Sequence, residues 1–334
     1  MTRLVPLPTL DPRVRLALAG GLDGVPSAET RRMADHLATI FGRSLVAILH
    51  YGSRAQSSDP RPDSDHDFFV VVDRYADAYR ALSAARGMHA AAGKASLLAR
   101  VLPPNVLAIG VPGIERKKAK CVVLSLRDFM RACSPQAQDH FAQGRLFQHV
   151  LLLWTRDSES RALLIDTIVR ARAGTFEWAK SSLPATFTAD EYSRSLLETS
   201  FGAEIRPESG NRVAALFAAQ RDTLVRMYEP LLDALVDAGT LARDASGTYG
   251  LAAPLRAAEI RRVARYFRKS KLRATVRWVK YVALYDDWLN YIVQKIARRT
   301  DRPVELTERE RRYPLIFLWP KAVRFLMERP QRRR

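Results

Sequence analysis

Between Glu29 and Gly42 the apolar residues Met33, Leu37 and Ile40 recur at helical spacing, and Ser44 to Tyr51 follows as a short apolar run of strand length. Gly52 and Ser53 come directly after that run. A polar, proline-containing loop from Gln56 to Ser64 leads to Asp65-His66-Asp67 and then to Phe-Phe-Val-Val-Val, which predicts a buried strand ending at Asp73. An Ala-rich helix is expected over Ala76 to Ala92, strands over Val106 to Val111 and Lys118 to Leu126, and a further helix from Arg127 to Ala132.

From Gln148 onward the pattern turns mainly helical, with helices expected over Leu151 to Lys180, Asp190 to Phe201, Arg212 to Ala238 and Pro254 to Ala297. The first half is therefore α/β in outline and the second mainly helical, so the fold class expected is α+β. The divisions expected are 1–28 as an N-terminal extension, 29–150 as the α/β domain, 151–254 as a helical domain and 255–334 as a basic C-terminal segment. No internal repeat interrupts this order.

Composition changes the picture through charge. The 334 residues are 47% hydrophobic, ordinary for a globular chain, but carry a formal net charge of +19. Such an excess points to an anionic partner: a nucleic acid, an acidic membrane surface or a polyphosphate. Much of it is C-terminal, since residues 256–334 hold 23 Lys plus Arg against 8 Asp plus Glu. Arg261 to Lys280 contains nine basic residues and no acid, while Val263, Phe267, Ala274, Trp278, Tyr281 and Tyr285 recur near helical spacing. The pattern predicts a basic amphipathic helix, which can lie on an anionic bilayer, grip RNA or pack against its own domain. Tyr313 to Met327 is apolar but broken by Pro314 and Pro320, and reads as a docking or interfacial element.

Other classes recede. The only cysteines are Cys121 and Cys133, so neither a disulfide framework nor a Cys-rich zinc site is expected, and Cys121 reads as a buried thiol. The N-terminal residues lack a secretory apolar core, and no apolar run reaches the roughly 18 residues that a membrane span needs.

The chemistry-bearing residues are Gly52, Ser53, Asp65 and Asp67. Gly52 lets the backbone approach a triphosphate, and Ser53 with neighbouring N–H groups can bond its oxygens. Residues i and i+2 of a strand share a face, so Asp65 and Asp67 are expected to project together, with His66 turned into the fold as a packing residue. Two adjacent carboxylates repel unless a cation joins them, and Mg²⁺, hard and oxygen-seeking, suits two carboxylates plus phosphate oxygens.

A strand ending in Gly-Ser, a loop, and Asp-x-Asp opening a second strand resembles the signature of the DNA polymerase β nucleotidyltransferase superfamily. Members usually carry a third carboxylate on a later strand; here that strand reads KKAKCVVLSLRD, with no inward acid before Asp128 and with Lys120 near the position. More narrowly, the chain resembles the mitochondrial-type phosphatidate cytidylyltransferases, the translocator assembly and maintenance family. The resemblance spans about Ile48 to Leu235. It rests on Val72 with His89 after it, Lys120-Cys121-Val122-Val123-Leu124-Ser125 followed by Asp128, and Ala142-Gln143-Gly144-Arg145-Leu146 with Val150. Later blocks run from Leu183-Pro184 to Asp190-Glu191 and from Ser200-Phe201 through Glu204 to Arg206, and Met227-Tyr228 ends the series. The chain departs from the family in having Arg54, where a further glycine is usual after Gly-Ser, and in having Asp65 beside Asp67.

The resemblance implies transfer of CMP from CTP to phosphatidic acid, with Mg²⁺ held by Asp65 and Asp67, the nucleotide by Gly52, Ser53 and Lys120, and substrate contacts from His89, Arg145, Glu204 and Arg206. It implies peripheral attachment to an anionic membrane, while frequent Ala and Arg with no clear transit peptide favour the cytoplasmic face of a bacterial cell over the matrix side of a mitochondrial inner membrane. A nucleic acid is the less favoured partner, and self-association is left open. Two other readings stand beside it: a nucleotidyltransferase acting on RNA or a small molecule, and a non-catalytic membrane protein on the same fold.

Overall fold

The computed structural model describes residues 10–56, 64–85, 92–203, 210–284 and 307–312. In chain order the elements are α1 (Pro12–Leu18), α2 (Ala28–Phe41), β1 (Leu45–Tyr51), α3 (Ser53–Gln56), β2 (His66–Val72), α4 (Tyr75–Ala85), α5 (Ala92–Val101), β3 (Asn105–Val111), β4 (Ile114–Ser125), α6 (Leu126–Ala132), α7 (Gln143–Leu146), β5 (Leu151–Thr155) and α8 (Ser158–Ala173). There follow α9 (Thr175–Ala179), β6 (Thr186–Phe187), α10 (Ala189–Gly202), α11 (Gly210–Asp237), β7 (Leu241–Arg243), β8 (Tyr249–Leu251), α12 (Ala257–Leu284) and α13 (Glu308–Arg312). The described residues up to Arg277 belong to one compact unit, and those from Trp278 to another.

The fold is α+β around a mixed five-stranded sheet in the order β3-β4-β2-β1-β5. Only β2 and β4 run parallel, and β1 pairs antiparallel with both β2 and β5. Every residue of β1 is buried, as expected of a central strand covered on both faces. One face carries Leu49, Tyr51, Phe69, Val71, Val122 and Leu124, which meet Phe129, Leu146, Leu164 and Ile168 from α6, α7 and α8. The other face meets α2, whose start is capped by Ser27 accepting from the Thr30 amide. A second core joins α1, α9, α10 and α11, and includes Phe187 and Tyr249 of the small β6-β8-β7 sheet.

Several expected boundaries shift. The helix expected from Leu151 begins instead as β5, which bonds to the edge of β1, so the sheet continues past the division expected at 150. A four-residue apolar run cannot reveal by periodicity whether it is strand or helix. The N-terminal extension is part of the fold: Val14 and Leu18 of α1 are buried in the second core. Their carbonyl neighbourhood is tied down by Arg172, fully buried, which donates to the carbonyl oxygens of Leu18, Gly20, Leu146 and Gln148.

The basic helix is docked rather than bare at Val263 and Phe267. Val263 is buried, and Phe267 lies 6.4 Å from Trp178 and 5.0 Å from His140 between ring centroids. Polar contacts reinforce this seat. Lys180 bonds Glu259 at 2.8 Å, Arg262 bonds Glu177 at 3.2 Å, Ser270 accepts from the His140 amide, and Asp139 takes both Arg273 and Arg277. What α12 turns to solvent is Arg261, Arg265, Arg268 and Lys271, with Ile260, Leu272 and Val276 exposed among them. Among the described residues no helix is long and apolar enough to cross a membrane.

Candidate functional site

The corner where β1 ends and β2 begins gathers four of the residues singled out from sequence. Tyr51 is in antiparallel register with Asp67, so the turn that follows it is carried back over the first residues of β2. Gly52 makes that turn at φ 81, in the left-handed region that glycine alone occupies cheaply, and its carbonyl accepts from the amides of Ala55 and Gln56. A Cβ added at Gly52 would lie 2.6 Å from Asp67 Oδ2. The backbone therefore approaches this carboxylate as closely as a residue without a side chain permits. Ser53, half-buried, opens the single turn α3. Arg54 donates through Nε to the Ser64 carbonyl at 2.7 Å, tying the two ends of the loop between β1 and β2.

Asp67 alternates with Phe69 and Val71 on the sheet face that meets α6, α7 and α8. Its parallel-register partner on β4 is Lys120, whose Nζ lies 3.1 Å from Asp67 Oδ1. The lysine side chain is 41% exposed and the aspartate 21%, so this pair borders solvent. Asp65, exposed and one residue before β2, accepts from the Lys118 backbone amide at 3.0 Å. The two acids are thus two positions apart at the mouth of one strand, with Asp65 engaged by β4 backbone and Asp67 by a β4 side chain. A carboxylate that accepts one such bond keeps lone pairs for a metal, and hydrogen-bonded ligating carboxylates are common.

His66 occupies the opposite face, as strand alternation predicts. It is 1% exposed and bonds Thr30 Oγ1 at 3.3 Å and Glu29 Oε1 at 3.0 Å. Burial holds its pKa below the ordinary value in spite of Glu29. Burial pushes Glu29 up, but hydrogen bonds from Lys117 and His66 outweigh it and leave the carboxyl low. Against His66 stacks His50, with ring centroids 5.3 Å apart, buried and with neither ring nitrogen hydrogen-bonded. Burial first, then the charges of His66 and Arg54, pushes His50 down to about 3, so it is neutral. This histidine layer backs the strand that carries the acids. Sequence reading did not single out His50, although a histidine inside an otherwise apolar strand is a visible signal.

Arg145 is placed elsewhere on the same side of the sheet. Its guanidinium sits 4.0 Å over the Phe141 ring and donates to the Phe141 carbonyl, and that ring packs on Phe69, the next residue after Asp67 on that face. Asp128 serves the start of α6: its amide donates to Ser125 Oγ, and its carboxylate accepts from Ser125 and Tyr75. His89, Glu204 and Arg206 lie outside the described residues. Cys121 is buried, as expected. A cleft of about 480 Å³ opens by α6 and α8, lined by Met130, Cys133, Leu163, Thr167 and Arg170 among others, and no candidate catalytic, nucleotide-binding or substrate-binding residue lines it.

The donor set at the corner fits a hard dication shared with a ligand. Among the described residues no group of three His, Cys, Asp or Glu gathers that could hold a metal by itself. Two carboxylates at a glycine turn leave the remaining positions to water and phosphate oxygens, which is how Mg²⁺ is commonly held. No family model matches the chain, and no curated protein matches it either.

Proposed function

We propose that the chain is a nucleotidyltransferase of the polymerase β-like kind, that it transfers CMP from CTP to the phosphate of phosphatidic acid, and that pyrophosphate leaves. The observation that supports it best is the Gly52 turn lying against the Asp67 carboxylate, with Lys120 beside it in register.

In this reading Gly52 lets backbone amides come close to the triphosphate, Ser53 offers its hydroxyl, and Lys120 faces the phosphates as a mobile point charge. Asp65, one residue before β2, and Asp67 within it would hold the ion. Bound Mg²⁺ would supply charge neutralisation at the triphosphate and its leaving pyrophosphate. The acceptor phosphate is already an anion at neutral pH, so it forms the new bond to the α-phosphorus without a general base on the protein. The bond from that phosphorus to the bridging oxygen breaks as it does so. Positioning and electrostatics carry the acceleration.

The lipid acceptor is supported by the outer face of α12, where Arg261, Arg265, Arg268 and Lys271 lie among exposed Ile260, Leu272 and Val276. An RNA acceptor is the second reading, favoured by the docking of Val263 and Phe267 onto the protein, which leaves that face mainly cationic. The test incubates purified protein with each nucleoside triphosphate, Mg²⁺, and either phosphatidic acid vesicles or tRNA. A liponucleotide formed with CTP supports the lipid reading, and labelled tRNA supports the second. No pyrophosphate release with any acceptor would remove the transferase reading.

A further inference from the structure

Lys120 is a cation that the site already contains. It stands on β4 directly beside Asp67 in parallel register, on the sheet face that Asp67 shares with Phe69, and its Nζ lies 3.1 Å from Asp67 Oδ1. The other oxygen of Asp67 faces the Gly52 turn. Asp65 is bonded to the Lys118 amide, and no group of three metal-binding side chains gathers among the described residues. An ammonium and a second divalent ion sharing Asp67 would face each other at a few ångströms, where like charges repel strongly. The side chain is 41% exposed, and its stem has the rotatable bonds to reach a neighbouring oxygen.

We infer that Lys120 fills the place a second metal ion would need: the site binds one divalent ion per chain together with the triphosphate, and Lys120 moves from Asp67 to a phosphate oxygen when that ion arrives. The inference rests on the nucleotidyl-transfer reading and adds to it a metal count and the exchange of Lys120 between Asp67 and the phosphates. Before the ligand comes, Lys120 neutralises Asp67. Once it has come, the same charge sits on the triphosphate, and Asp67 turns to the ion. Two carboxylates, one dication and one ammonium thereby do what two dications would do in a site with more acids.

The test counts bound Mn²⁺ on the full chain by equilibrium dialysis and electron paramagnetic resonance, with a CTP analogue whose α–β bridge cannot be cleaved. Wild type should bind one ion per chain. Lys120→Met should still bind one but hold the analogue at least about 10-fold more weakly, the usual cost of losing a charge-assisted hydrogen bond. Lys120→Glu places a carboxylate beside Asp67 and should bind two ions. Matching circular dichroism and melting curves for the three proteins exclude misfolding as the cause. Two ions on wild type, or one ion on a folded Lys120→Glu, would overturn the inference while leaving the transferase reading in place. No ion on wild type would overturn both.

Discussion

Gly52 and Asp67 are in such close contact that the glycine cannot acquire a side chain without moving the carboxylate: an added Cβ would lie 2.6 Å from Oδ2 and 3.3 Å from the Asp67 Cβ. The glycine also needs φ 81, which costs an L-residue energy whatever the space. Gly52→Ala should therefore lose about 1–3 kcal/mol of stability, the cost of a strained backbone position, and should displace Asp67 enough to stop pyrophosphate release. Gly93 of α5 is the control, since nothing lies within 4 Å of its Cβ position. Gly93→Ala should be neutral or stabilising by up to about 1 kcal/mol. Urea unfolding of both variants checks the pair.

Asp67→Asn separates chemistry from folding. The Lys120 ion pair borders solvent, where such pairs contribute about 1 kcal/mol or less. The unfolding midpoint should stay close to that of the wild type, while Mg²⁺-dependent pyrophosphate release drops by about 100-fold or more through loss of a metal-holding carboxylate. A variant that retains activity would remove Asp67 from the site.

Asp139 neutralises two arginines of α12. It is 8% exposed and takes Arg273 at 3.0 Å together with Arg277, which is 3% exposed. Burial alone would raise its carboxyl, but the two arginine partners and the Phe141 amide outweigh it and hold the group below the ordinary range. Asp139→Ala strands a buried guanidinium and should cost about 3–5 kcal/mol, while adding Arg277→Met should restore part of the loss. Limited proteolysis across α12 together with urea melts reports both effects.

Acid should unfold the protein through its buried histidines. His140 accepts or donates bonds with Ser200 and Tyr266 in the interior, and burial, with the Arg145 charge, lowers it from 6.5 to about 3. His50 is lowered to about 3 in the same way. Their folded pKa values lie below the unfolded one, so the unfolded chain binds more protons between pH 3 and 6.5. Stability from these groups is fully present above the unfolded value and is lost as pH falls through that window, by about 1.4 kcal/mol per pH unit for each histidine. His140→Gln should flatten the slope by one histidine's share, read from urea midpoints between pH 7 and pH 4.

On the outer face of α12, Arg265→Glu with Arg268→Glu should weaken sedimentation with phosphatidic acid vesicles, each lost cation contributing roughly 1 kcal/mol at an anionic surface. Both residues are exposed, so melting should be unchanged. Equal sedimentation of wild type and variant would exclude this face as the membrane contact.

The strands that carry the site were legible because continuous apolar runs and the Gly-Ser turn mark β1 and β2 without help from distant residues. The side-by-side register of Asp67 and Lys120 was only approached, since two continuous apolar runs lack the alternation that would fix their offset. β5 reads as the start of a helix in sequence because a short apolar run, Leu151 to Trp154, lies only a few residues before α8 and carries no period of its own. The basic face of α12 was legible as a helix, but its seat was not. Its partners Glu177 and Asp139 lie 85 and 134 residues away in sequence from Arg262 and Arg273. Arg172 gave a local hint, a cation among Leu164, Ile168 and Ala171 on one helical side, but its acceptors are backbone carbonyls that no pattern displays.

That last residue governs the order in which the chain is completed. Arg172 reaches Leu18 across 154 positions, so α1 emerges from the ribosome long before the cation that anchors it exists. Until α8 has been synthesised, Val14 and Leu18 have no finished core to enter. Assembly of the amino-terminal end thus waits for α8, and nascent chains halted before residue 172 should keep that end open to proteases and holding chaperones.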